Sequence, residues 1–126
     1  MKFEIISSDL SIGELKGLEM ENEILLLDPE KTSEEQIMLA YELCKKSIEN
    51  KTNLAKKEKL EFLLWLSGKK DIGRAVEEMR FKDRNEILLI NFTDDADKIK
   101  IGKKIKYKIR KKATDMELEK MSISRI

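Results

Sequence analysis

The chain has 126 residues, 40% hydrophobic and 40% charged, with a net charge of +1. One folded domain over residues 1–126 is the expectation, because the apolar fraction is high enough to build a core despite the charge. The absence of histidine excludes Ser-His-Asp and Cys-His nucleophile arrangements, and one cysteine excludes disulfides within the chain and thiolate zinc sites.

In chain order, Phe3, Ile5 and Ile6 predict a first strand that ends at Ser7-Ser8-Asp9. Ile12, Leu15 and Leu18 predict a short helix, weakened by Gly13 and Gly17. Residues 23–27 form an apolar run read as a buried second strand, which Asp28-Pro29 breaks. A helix over 32–50 follows, and two spacings fit its capping box: Thr32 with Glu35, or Ser33 with Gln36. Ile37, Tyr41, Cys44 and Ile48 share one of its faces. Cys44 and Tyr41 therefore read as packing residues rather than as chemistry.

A helical hairpin is predicted over 53–80. Asn53 is the expected N-cap, and Leu60, Leu63, Leu64 and Trp65 crowd the end of the first helix. Gly68 stands where a left-handed C-cap belongs, and Asp71 caps a second helix with Ile72, Val76 and Met79 on one face. Residues 87–90 predict a third buried strand. Asp94, Asp95 and Asp97 lack the glycine-bearing calcium loop and any phosphate motif, so they read as a turn and helix cap rather than a magnesium site.

Charge is distributed unevenly. Residues 14–42 hold nine acidic residues against Lys16 and Lys31, whereas residues 98–112 hold nine basic residues and no acidic one. In the second stretch Ile99, Ile101, Ile105, Tyr107 and Ile109 alternate with charges, which predicts half-buried strands about Gly102. Lys104, Lys106, Lys108 and Arg110 would then share one strand face. Two readings of that face stand: a lysine-guarded, solvated edge, or a track for RNA phosphates. Lys69, Lys70 and Arg74 form a second basic cluster. Aromatic residues are scarce at 6%, and Phe81 and Tyr107 read as core rather than as base-stacking platforms. The expected fold class is α+β, with a three- or four-stranded mixed sheet packed in two layers on helices.

The ordered set Asn53-Leu54, Glu61, Leu63, Ser67-Gly68, Ile72 and Ala75 resembles the signature of the small kinase-binding subunit of the KEOPS (EKC) tRNA-modification complex. Eukaryotic members are called p53-related-kinase-binding proteins. The likeness runs from Leu27-Asp28-Pro29 through Phe81-Lys82-Asp83 to the strand at 86–92, with an echo in Leu118-Glu119-Lys120-Met121. Lys69-Lys70-Asp71 stands where members often show Gln-Arg-Gln, and Arg80 replaces a usual glycine. The region after 92 looks shortened, as in an archaeal-type member.

The resemblance implies an adaptor with no chemistry and no cofactor. Such a subunit binds the small kinase/ATPase and recruits the 3′ end of tRNA for threonylcarbamoyladenosine modification. Lys69, Lys70, Arg74, Lys104, Lys106, Lys108 and Arg110 are the candidate RNA-binding residues; the sequence does not single out a kinase interface. The alternative is a module that binds the kinase and has lost tRNA. No catalytic residue and no metal ligand is expected. A cytoplasmic location is expected from the lone cysteine, the lack of an apolar leader around Glu4 and Asp9, and the lack of a membrane-length apolar run. Self-association is left open. The heavy Lys and Glu use suits the ion-pair surfaces of thermophiles, a pattern that biased mesophile genomes share.

Overall fold

The computed structural model describes residues 1–93, 101–104 and 109–125. It is an α+β protein whose chain divides into two compact units, each assembled from two separate stretches. Residues 1–31 and 80–110 make a sheet unit, and residues 32–79 and 111–126 make a helical unit.

In the sheet unit, β1 (Lys2–Ser7), β2 (Ile24–Leu27), β3 (Ile87–Asn91) and β4 (Lys103–Lys104) form one sheet in the order β2-β3-β1-β4. Every described pairing is antiparallel, so the sheet is not the mixed one expected. The register sets Ile6 opposite Ile87 and Leu26 opposite Leu89. Because side chains alternate along a strand, these four share a face, and Ile24 joins them. Leu15 of helix α1 (Ile12–Glu21) packs in the same cluster, together with Phe81 and Ile101. All of β2 and β3 is buried, which explains why both read as unbroken apolar runs rather than as alternating ones.

Helix α1 forms in spite of two glycines because Ser11 caps it: its hydroxyl accepts from the Glu14 amide at 3.1 Å. The Glu19 carboxylate, at the other end of α1, accepts from the Leu26 amide at 2.7 Å. That bond satisfies a backbone donor on the edge strand β2.

Gly102 has a steric rather than a conformational role. A Cβ there would run into the carbonyl oxygen of Ser7, while the Ser8 hydroxyl donates to the Ile101 carbonyl at 2.6 Å. The backbone therefore crosses tight against the end of β1, and β4 pairs with β1 at Ser7–Lys103 and Ile6–Lys104. The expected partner strand ahead of Gly102, at 98–100, lies outside the described residues, as do residues 105–108.

The helical unit holds α2 (Glu34–Glu49), α3 (Glu58–Ser67), α4 (Ile72–Met79) and α5 (Asp115–Ile123). Of the two spacings offered for the α2 cap, the chain uses Ser33 and Gln36. The Ser33 hydroxyl accepts from the Gln36 amide at 3.2 Å and donates to its side-chain oxygen at 2.9 Å. The buried face of α2 is Ile37, Ala40, Cys44 and Ser47, rotated from the expected one: Tyr41 is half-buried and Ile48 exposed. Helix α5 has a complete capping box between Thr114 and Glu117. Among the described residues no helix is long and apolar enough to cross a membrane.

Candidate nucleic-acid interface and a buried carboxylate

The turn between α3 and α4 is built from local rules. Gly68 ends α3 at φ 69° and ψ 17°, a left-handed conformation that glycine adopts without a Cβ penalty. Its amide donates to the Trp65 carbonyl at 3.3 Å. The Ser67 hydroxyl then accepts from the Lys69 amide, and Asp71 opens α4 by accepting from the Arg74 amide at 3.1 Å. Lys69, Lys70 and Arg74 are all exposed on this short stretch. Lys69 also reaches Glu78 at 3.4 Å, an exposed pair that weakens the cluster's field only slightly.

The second basic group is less regular than the alternation predicts. Lys104 lies exposed on β4, in the sheet unit. Arg110 also belongs to the sheet unit but lies outside any strand, with its guanidinium 4.0 Å from Glu86. Lys106, Lys108 and Tyr107 lie outside the described residues, so a single strand face carrying all four cations is not seen. Asp94, Asp95 and Asp97 lie outside them too. Among the described residues no group of His, Cys, Asp or Glu is arranged to hold a metal ion.

Asn53 does not cap α3. Its side-chain amide donates to the Ala55 carbonyl at 2.8 Å, and the helix begins only after Lys57, which caps with no side-chain bond. The reason is Glu61, one turn into α3. Its carboxylate accepts from the backbone amides of Leu54 and Ala55 at 3.0 and 3.1 Å, and so folds the 54–57 segment back onto the helix.

Glu61 is fully buried and gathers more than that bend. The Ser47 hydroxyl donates to it at 2.5 Å, the Trp65 indole N–H at 3.2 Å, and Arg125 at 2.7 Å. The Arg125 guanidinium carbon sits 4.1 Å from the centre of the Trp65 ring, a cation–π geometry. Burial by itself raises the Glu61 pKa. The hydrogen bonds from Arg125, Ser47 and the Ala55 amide, with the Arg125 charge, outweigh it and hold the carboxyl below its ordinary value. The same node explains the rotated face of α2, since Ser47 rather than Ile48 must point at Glu61.

Cys44 fits its reading as a core residue. Burial, then the charges of Glu58 and Glu61, pushes its thiol up to about 12, which leaves it protonated and unreactive at neutral pH. Phe81 is likewise core. The hairpin itself is as expected at Leu63, Leu64 and Trp65, all buried. On α4 the buried residues are Ala75 and Met79, with Val76 half-buried and Ile72 exposed.

Besides its place in the resemblance, Glu61 had a local signal in the sequence: a charged residue inside the apolar run 60–66, one helical turn before Trp65. Arg125 had none, because its partner is 64 residues away. The chain matches no protein-family model and no curated protein.

Proposed function

We propose that this protein is a non-catalytic, cytoplasmic adaptor of the KEOPS type. It binds the small kinase/ATPase subunit and recruits the 3′ end of tRNA for threonylcarbamoyladenosine formation. One observation carries the reading. The residues of the resemblance between Asn53 and Ala75 form one connected piece of the helical unit rather than scattered identities. Glu61 binds the amide of Leu54, Leu63 and Ala75 are buried, and Gly68 makes the left-handed turn.

Packing accounts for most of that set but not for Leu54 and Ile72, which are 55% and 39% exposed. Exposed apolar side chains suit a protein partner, so these two, Leu54 in the bend before α3 and Ile72 on α4, are assigned to the kinase contact. The cations Lys69, Lys70 and Arg74 of the helical unit, with Lys104 and Arg110 of the sheet unit, are assigned to RNA phosphates.

The test is co-purification with the cognate small kinase alongside equilibrium binding of tRNA with and without its 3′ end. Four phosphates neutralised on a single strand give a log–log salt slope of roughly −3. Lys104→Glu with Arg110→Glu is expected to weaken tRNA binding and flatten that slope while kinase co-purification persists. Leu54→Asp with Ile72→Asp is expected to do the reverse. Kinase binding with no preference for an intact 3′ end makes the chain a kinase-only module, the second reading. Binding to neither partner overturns the adaptor.

A further inference from the structure

The Glu61 carboxylate is already organised before Arg125 is considered. Ser47 of α2, Trp65 of α3 and the amides of Leu54 and Ala55 all donate to it. Ser47, Glu61 and Trp65 are 4%, 0% and 8% exposed, so the site is nearly dry. What these four neutral donors do not supply is a counter-charge, and a buried carboxylate without one is costly. One oxygen of that carboxylate accepts from the Trp65 indole N–H, so a flat cation stacked on the indole face can reach it. A guanidinium satisfies both demands at once: its fork donates to the carboxylate while its plane stacks on the ring. An ammonium, compact and strongly hydrated, does not.

Arg125 fills this place with only one of its two terminal nitrogens bonded to the carboxylate. Its Nη1 donates to Glu61 at 2.7 Å, but its Nη2 is buried with no hydrogen-bond partner among the described residues. Arg125 lies just past the end of α5, a helix in which Met121 is the single buried residue.

We propose that Glu61, Trp65 and Ser47 form a preorganised guanidinium socket. The chain's own Arg125 fills it and so latches the end of α5 onto the helical unit, exchangeably with a guanidinium supplied from outside. The socket stands on geometry alone and does not depend on the adaptor reading.

Trp65 is the sole tryptophan, so its emission reports on the socket directly. The experiment titrates ethylguanidinium, and ethylammonium as the same charge without the flat fork, in the millimolar range. The parent protein, Arg125→Ala and Arg125→Lys are compared by Trp65 emission, melting temperature and hydrogen exchange over 115–123. Arg125→Ala is expected to red-shift the emission, melt about 10 °C lower and lose protection along α5. Ethylguanidinium is expected to reverse the emission shift and recover part of the melting temperature, by linkage to a site present only in the folded state. Ethylammonium is expected to do neither. Exchange protection of α5 should stay low under both additives, because a free guanidinium fills the socket without tethering the helix.

Equal rescue by the two cations overturns the socket, and so does an Arg125→Ala emission identical to the parent's. Unchanged α5 protection in that variant overturns the latch. Should Arg125→Ala fail to fold, the same comparison is decisive in Arg125→Lys, which keeps the charge but not the fork.

Discussion

Each of the two units of this protein is stabilised internally by different physics. The sheet unit is stabilised around an aliphatic cluster, with Ile6, Ile24, Leu26, Ile87 and Leu89 under Leu15 of α1. Such burial is favourable without being directional, so it rewards volume and tolerates changes of shape. The helical unit also buries Phe62, Leu63 and Leu64, but its segments converge on one carboxylate with five donors. A buried polar network rewards geometry and charge, and loses disproportionately when one member is removed. The lesson is that neighbouring stretches of one chain can respond in opposite ways to equally conservative substitutions.

The sharpest way to break this comparison is a pair of near-isosteric changes. Glu61→Gln keeps the volume but strands the Arg125 charge, and is expected to cost about 3–5 kcal/mol. Leu89→Met, in the sheet unit, is expected to cost less than about 1.5 kcal/mol. Urea unfolding of the two variants checks it, and equal costs would erase the distinction.

Next in size is the apolar part of the helical unit. Leu63, 1% exposed, should lose about 2–5 kcal/mol on truncation to alanine, the same range as any large core residue. A cost near zero would mean that the carboxylate node holds the unit without its aliphatic packing.

Smaller again is Gly68→Val. Open space surrounds the position, so the penalty comes from the left-handed backbone alone, about 1–3 kcal/mol. Gly68→Asn, which tolerates that conformation better, should recover most of it in a thermal melt.

The pH dependence probes the same carboxylate from the side of its proton. Glu61 titrates below its ordinary 4.5 in the folded protein, so its contribution is complete above that value. It is lost as the pH falls through the depressed folded pKa. Glu117, drawn down by Lys111 and the Thr114 amide, adds the same sign, discounted because its side chain is largely screened by solvent. Acid unfolding curves of the parent and Glu61→Gln should therefore converge toward low pH. Parallel curves would show that Glu61 binds its proton equally in both states.

Much of the helical hairpin was legible because its signals are local. Gly68 as a left-handed stop and Asp71 as a cap each involve residues a few positions apart, and backbone geometry enforces them in any context. The capping box of α5, at Thr114 and Glu117, is equally local. The candidate RNA-binding residues were legible as exposed cations at Lys69, Lys70 and Arg74. Their companions were not legible as one strand face. Alternation predicts a face only if the strand continues, and Arg110 lies outside it.

By itself, then, the amino-acid sequence determined the α+β class, the buried runs read at 23–27 (buried from Ile24, with Glu23 exposed) and 87–90, the glycine stop and the inert burial of Cys44. Each follows from periodicity, propensity or hydrophobicity within one turn or one strand. Tertiary structure alone decided the antiparallel order β2-β3-β1-β4, the choice of Ser47 over Ile48 on α2, and the displacement of the α3 start from Asn53 to Lys57. Those outcomes depend on which partner a strand edge or a buried charge finds across the fold. Arg125, 64 residues from the carboxylate it neutralises, meets it only when the chain has folded.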